Sequence, residues 1–249
     1  MTRGMYAGAG GMIIGLHAAD VFSNNLANAS TPGFRLDRAT VGSFQSVLLP
    51  QLTTPGGQPA SIAQSATMNP TVVDLSQGPL QPTHNPLDVA IDGPGWFAVG
   101  TGAGESYTRD GHFELAPDGT LQTPPPPGQT SGYPVLGTNG PIVVPTSDPV
   151  TINEAGQVFS GANLIGQLKL VRFTDATSVV KQGNNLVTGG APVADTASTV
   201  RQGMMEGSNA DTMRMMVDMM AMMRYVEMNQ KIIQAQDQSL GQVIDIARH

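Results

Sequence analysis

The sequence predicts an α+β protein in which N- and C-terminal helices pair as one discontinuous coiled-coil domain and a central all-β domain is carried between them. Three observations predict it. Residues 3–29 and 209–247 both carry long apolar patterns of helical period. No helical period of any length occurs between 87 and 200. That middle stretch instead places apolar alternation between Gly- and Pro-rich turns. Two helices at opposite ends of a chain, each with an apolar stripe to cover, can satisfy each other by meeting in space. The expected division is a helical assembly domain at 1–34 plus 208–249, a linker or arm at 35–79 and a β-rich domain at 80–207.

In the first segment Met5, Ala9, Met12, Leu16, Ala19, Ser23 and Leu26 recur at alternating spacings of four and three, the seam of a coiled-coil helix. Gly4, Gly8, Gly10, Gly11 and Gly15 oppose it, each costing roughly 1 kcal/mol of helix propensity relative to Ala. The helix is therefore expected to order only against a partner, and Thr31-Pro32-Gly33 stops it. From 35 to 86 repeated Pro and Gly among Gln, Ser and Thr read as a loosely ordered arm with short strands at most.

At Leu87 the pattern turns to β. Leu87, Val89 and Ile91 alternate with polar or small residues, Asp92-Gly93-Pro94-Gly95 turns the chain, and Trp96 to Val99 follows. Two further Asp-Gly turns, at 110–111 and 118–119, predict a meander of strands at 105–109, 112–116 and 120–123. Additional strands are expected at 142–144, 150–153, 157–160 and 164–173, with Pro124 to Pro127 as a stiff surface loop.

The last segment opens at Gly207-Ser208-Asn209, where Ser208 or Asn209 suits a helix N-cap. Met216, Met219, Met223, Val226, Ile233, Leu240, Ile244 and Ala247 fit its seam, with Gln230 and Asp237 as polar interruptions. Ten of the 14 methionines lie between Met204 and Met228. From Met213 to Val226 the apolar positions span roughly 220° of the wheel, about twice the stripe of an ordinary surface helix. One partner helix does not cover that, so neighbouring subunits are expected to.

Composition narrows the function. Charged residues are only 12% of 249, against 30 Gly and 19 Pro, and the net charge is -7. With no basic patch, a nucleic-acid partner is excluded. No Cys means no disulfide, no thiolate metal site and no thiol chemistry. No apolar run approaches the roughly 18 residues of a membrane span. Ala27-Asn28-Ala29 has the form of a signal cleavage site, but Gly15, His17 and Asp20 interrupt the stretch before it, so no cleaved signal peptide is expected.

No catalytic, cofactor or metal constellation stands out. Gly93-Pro94-Gly95-Trp96-Phe97-Ala98 has the letters of a dinucleotide fingerprint, yet a β-type run follows where a helix N-terminus must hold the pyrophosphate. His17, His84, His112 and His249 show no ligand spacing. Asp88 and Asp92 read as strand-edge and turn residues. A β-rich hydrolase would need them to converge with His112. A secreted β-rich binding module using Trp96 and the Pro124 to Pro127 loop is the other alternative.

Asn24-Asn25-Leu26-Ala27-Asn28-Ala29-Ser30-Thr31-Pro32-Gly33-Phe34 resembles the N-terminal signature of bacterial flagellar rod and hook proteins. Leu87 to Phe97, Tyr107-Thr108-Arg109-Asp110-Gly111-His112-Phe113 and Glu206-Gly207-Ser208-Asn209 resemble three further motifs of that family, in the same order. Asn85 to Ala90, Gly140 to Pro145 and the overall length are most similar to its proximal rod members, with the distal ones a close competitor. Pro94 with Trp96, and the dense methionine run, depart from the usual pattern.

The resemblance implies a structural axial subunit of the basal body, not an enzyme and without cofactors, that assembles through its terminal helices and transmits torque from motor to hook. It implies export by the flagellar type III apparatus without a cleaved signal, a place crossing the periplasm, and partnership with other axial proteins and with copies of itself. Helix packing and assembly fall to Met12, Leu16, Leu26, Met216, Met219, Met223, Val226, Ile233 and Leu240, while Asn24, Asn25 and Asn28 set how the first helix ends and meets its neighbours. In the β domain the motif residues are Asp92, Gly93, Trp96, Phe97, Tyr107, Arg109 and Gly111.

Overall fold

A computed structural model describes residues 2–39, 71–102, 104–145 and 149–248; the side chains of residues 2–7, 240 and 243–248 also lie outside the described set. Most of the arm expected at 35–79, and the side chains of Met5, Leu240, Ile244 and Ala247, therefore fall outside it. The chain divides into a helical unit and a β unit, the latter comprising Ala27–Asp37 and Val72–Asp211. Residues 27–34, expected with the helices, thus group with the β unit.

The helical unit holds α1 (Thr2–Ala27) and α2 (Thr212–Arg248). They run antiparallel, and α1 meets α2 through its glycines. A Cβ added to Gly8 would lie 2.9 Å from Ile233 Cγ1, one on Gly11 3.1 Å from Tyr225 Oη and Asn229 Nδ2, and one on Gly15 2.5 Å from Val226 Cγ2. The buried positions of α1 include Gly8, Gly15, Ala18, Val21 and Asn25, whereas Leu16 is 50% exposed. On α2 the covered positions include Met215, Met219, Met222, Val226, Asn229, Ile233 and Gln236, while Met216, Met223, Gln230 and Asp237 are exposed. The contact row therefore runs one residue off the expected seam at most positions. Counting large apolar residues as the seam misplaces it, because close helix–helix approach needs small residues at the contact. The same glycines that weaken α1 alone give it a partner.

The strands of the β unit follow in chain order. First come β1 (Asp37–Arg38), β2 (Val72–Val73), β3 (Leu80–Pro82), β4 (Val89–Asp92), β5 (Trp96–Thr101) and β6 (Gly104–Thr108). Then come β7 (Glu114–Leu115), β8 (Leu121–Gln122), β9 (Leu136–Gly137), β10 (Gly140–Pro141), β11 (Val150–Ile152), β12 (Gln157–Ser160) and β13 (Asn163–Gln167). Last are β14 (Leu170–Arg172), β15 (Val180–Gly183), β16 (Leu186–Thr188), β17 (Val193–Ala194), β18 (Thr199–Gln202) and β19 (Met204–Glu206). The largest sheet has the order β15-β16-β6-β5-β14-β17, and β11-β12-β13 form a smaller meander.

Strand β5 explains the core. Phe97 and Val99 face one apolar cluster with Val89, Ile91, Phe113 and Leu121, while Trp96 and Ala98 face a second with Tyr107, Val171, Phe173 and Val187. Period-2 alternation with both faces covered gives a run without polar residues. Edge-to-face rings fix both sides, Phe97 with Phe113 at 5.1 Å and Trp96 with Phe173 at 5.7 Å.

Of the three Asp-Gly turns, only Asp118-Gly119 closes a hairpin, β7 with β8. Asp110-Gly111 instead carries the chain from the large sheet to lie against β4, where Val89 donates to the Gly111 carbonyl at 2.9 Å. A Cβ at Gly111 would sit 1.6 Å from the Val89 carbonyl oxygen, so glycine is required there for close approach. The expected strand at 105–109 pairs with β5 and β16, not with its successor. A hairpin the turn letters did not signal joins β15 and β16 through Asn184 and Asn185, both at positive φ (51° and 57°). Two consecutive left-handed residues make a type I′ turn, and asparagine tolerates that region better than other side chains. The strand expected at 164–173 breaks into β13 and β14, and at 142–144 only an isolated bridge forms, at Val143.

Candidate functional site

Four separated segments meet at one buried carboxylate. Glu206, fully buried at the end of β19, accepts from Arg35 Nη2 (2.5 Å) and from the Gly78 backbone N–H (2.8 Å) on Oε1, and from Arg109 Nη1 (3.1 Å) on Oε2. Its own carbonyl accepts from Gly33 N–H at 2.8 Å. Arg109 Nη2 also donates to the Gly93 carbonyl at 2.7 Å. Both guanidinium carbons stand near the Trp96 ring centre, at 5.6 Å for Arg35 and 5.4 Å for Arg109. Three of their nitrogens, Arg35 Nε and Nη1 and Arg109 Nε, make no hydrogen bond to protein. The π face of the indole offsets part of that loss.

Electrostatics follow from burial. Desolvation pushes the Arg109 guanidinium down to about 10, against the opposing pull of Glu206 and with a further push from Arg35. Such a cluster holds together only as a set. Removing one partner from a buried ion pair costs about 3–5 kcal/mol, because the remaining charge is left unmatched.

Three residues further on, Asn209 continues the brace. Its Oδ1 accepts from Leu36 N–H at 2.8 Å, and its Nδ2 donates to the carbonyls of Asp74 and Ser76 at 3.2 and 3.0 Å. Asn209 is therefore engaged across the chain instead of capping a helix. Ser208 Oγ accepts from Ala210 N–H, and α2 begins at Thr212. The segment leaving α1 and the segment entering α2 are thus tied to each other within the β unit. Beside them lies an open cavity of about 380 Å³ whose lining includes Ser30, Pro32, Gln81, Met205 and Ser208.

The motif residues divide among three places. Gly93, Trp96 and Arg109 belong to the brace. Phe97 and Gly111 pack in the main core, and Tyr107 packs edge-to-face on Phe173 with its hydroxyl at Glu105. Asp92 sits at the surface, paired with Arg201 at 3.1 Å. Trp96 is 1% exposed, so it offers no surface for a binding module. Asp88 and His112 do meet, Oδ1 to Nδ1 at 2.7 Å with Asn85 also on Asp88, but Asp92 faces elsewhere. Among the described residues no group of three or more acidic or His side chains is placed to hold a metal.

Asn28 closes the turn after α1, accepting from Thr31 N–H and Oγ1, and Asn25 is fully buried while Asn24 is exposed. Arg35 and the charge role of Glu206 do not stand out from motifs alone. The signal for them is composition: in a chain so poor in charge, Arg35, Arg109 and Glu206 all sit inside or beside glycine-bearing motifs.

Three family models match, and each supplies part of this cluster. Residues 5–35 match the flagella basal body rod protein model, 90–160 the flagellar hook protein FlgE/F/G D1 domain, and 201–246 the flagellar basal body rod FlgEFG protein C-terminal model. Flagellar basal-body rod protein FlgF of Caulobacter vibrioides is 34% identical over 214 residues, 84% of this chain and 83% of its own. The chain belongs to the flagellar basal-body rod protein family. FlgF of Escherichia coli is 33% identical over 260 residues, covering 97% and 96%, and the rod protein FlgG of Bacillus subtilis is 32% identical over 279 residues, covering both chains fully. The rod-family segments contribute Arg35, then Gly93, Trp96 and Arg109, then Glu206. What the three matched segments share in space is the buried brace.

Proposed function

We propose that this chain is a non-enzymatic axial subunit of the flagellar basal-body rod, of the proximal type, whose terminal helices pair as a discontinuous coiled coil and pack against neighbouring axial subunits. The observation that carries this reading is the apolar surface the helices leave uncovered. Leu16 on α1 and Met213, Met216, Val217, Met220 and Met223 on α2 are exposed, whereas the β unit, apart from scattered residues such as Val143, Leu164, Val180 and Val193, packs its large apolar residues into two clusters. An exposed apolar stripe of this length marks an interaction surface. Helix packing through Met219, Val226 and Ile233 lies within the chain, while Leu16, Met216 and Met223 serve contacts between subunits, and Met12 and Leu26 complete the two faces.

The brace ties together the chain segments that lead out of α1 and into α2. On this reading the helical domain is the assembly domain, and the chain reaches the rod through the flagellar export apparatus without a cleaved signal. It partners copies of itself and other axial proteins, spans the periplasm and carries torque toward the hook. The likeness to FlgF relatives at 34% and 33% identity supports the proximal position; FlgG relatives at similar identity make the distal position the competing one.

The test is complementation. The full chain is expected to restore swimming to a strain deleted for the proximal rod gene and not to one deleted for the distal gene. A chain lacking residues 1–30 and 209–249 is expected to restore neither. Rescue of the distal deletion alone would reassign the position, and rescue by the truncated chain would remove the helices from assembly.

A further inference from the structure

The methionines of α2 fall into two sets on one helix. Met213, Met216, Met220 and Met223 recur at spacings of three and four and are 73%, 37%, 55% and 52% exposed; Met228 lies beyond them, also exposed. Met215 is 8% exposed, and Met222 is half-buried on the side facing Gly15. At 100° per residue the outward row lies about 120° around the helix from the covered one. The chain has no cysteine, so thioethers are its most readily oxidised groups.

We propose that this outward row is an oxidation site for peroxides that controls whether the subunit enters an assembly. In the step, a methionine sulfur attacks the distal oxygen of hydrogen peroxide. The S–O bond forms as the O–O bond breaks, sulfur loses two electrons, and the peroxide is reduced to one water after proton transfer. The product sulfoxide is polar, and it stands where an apolar thioether would pack against a neighbour. Oxidation therefore acts on the subunit before incorporation, whereas a subunit already packed in the rod is shielded. Methionine sulfoxide reductases reverse the change. This consequence for assembly rests on the axial-subunit reading; the selectivity of oxidation does not.

Peptide mass spectrometry of the purified full chain under a limiting peroxide pulse tests the site. Met213, Met220, Met223 and Met228 are expected to oxidise at least about fivefold faster than Met215, following exposure. Equal rates across both sets would overturn the site. Cells relying on the wild-type chain, or on a chain with Met213→Leu, Met220→Leu, Met223→Leu and Met228→Leu, test the consequence. Leucine keeps the apolar volume but has no sulfur to oxidise, so, each strain being compared with its own swimming without peroxide, the variant should recover new motility under sublethal peroxide severalfold better than wild type. Equal peroxide sensitivity of the two strains would overturn the control of assembly. Failure of both chains to support swimming without peroxide would instead reject the axial-subunit reading, with the mass-spectrometric arm still deciding the site.

Discussion

The β unit and the helical unit satisfy their apolar residues by different routes. In the β unit Trp96, Phe97, Phe113 and Leu121 are all almost fully buried, and its charged cluster is matched by partners from within the unit. Among the described residues of the helical unit a close contact row built on Gly8, Gly11 and Gly15 is covered, and Met213 remains 73% exposed. The burial of apolar area stabilises at about 25 cal/mol per Å², which the exposed methionines of α2 forgo in the single chain. The β unit thus closes two apolar clusters of its own, while the described helices leave an apolar face in the open.

Removing Glu206 tests the self-sufficiency of the β unit most severely. Glu206→Ala leaves two buried guanidinium groups unmatched and is expected to destabilise this unit by about 3–5 kcal/mol. Trp96, the sole tryptophan, reports it through the midpoint of its fluorescence change in urea. A loss below about 1 kcal/mol would show that the brace is dispensable.

A smaller effect is expected in the helical unit, with a sign that separates packing from propensity. In an isolated helix Gly15→Ala gains roughly 1 kcal/mol. Here the added methyl group meets Val226, so the full chain is expected to lose about 1–3 kcal/mol from its helical transition. Far-UV circular dichroism measures that loss while the Trp96 transition stays in place. A gain would mean that α1 is not held against α2 in solution.

Asn184→Gly sharpens the account of the β unit in the opposite direction. It relieves a left-handed non-glycine residue in the β15–β16 turn and is expected to stabilise by up to about 1 kcal/mol. The Trp96 midpoint should rise; a fall would indicate a contact of the Asn184 side chain that outweighs the backbone relief.

The smallest effect depends on pH. Burial pushes the Asp110 carboxyl above its ordinary value, against hydrogen bonds from His112 N–H and Asn185. Its folded pKa thus exceeds the unfolded one, so the carboxylate destabilises the fold. That penalty is fully present above the folded pKa and disappears as pH falls below the unfolded value of 3.8. Asp110→Asn keeps an acceptor, so it is expected to raise stability slightly at neutral pH, with the gain vanishing toward pH 3. A gain that grows on acidification would reverse this assignment.

Much of this fold is legible in the order of residues. The two helices, the all-β middle, strands such as Val150–Ile152 and Gln157–Ser160, and the Asp118-Gly119 hairpin follow from local period and turn chemistry. Asp110-Gly111 shows the limit: the same two letters there bring a glycine against the Val89 carbonyl, a long-range contact that turn propensity does not encode. The Arg35–Glu206 pair is equally hidden, because 171 residues separate its members and neither has a periodic neighbour.

By itself the sequence determined that both ends are helices in need of cover, that the middle is β, and that no disulfide or thiolate site exists. These follow from composition and from periods read over neighbouring residues, which report local backbone geometry and one-sided burial. Tertiary structure alone decided that the contact row of α1 is glycine, that Trp96 lies inside against two arginines, and that Glu206 gathers three distant segments. Those features depend on which surfaces approach closely enough to exclude water, and on charges that are tolerable only when every partner arrives together.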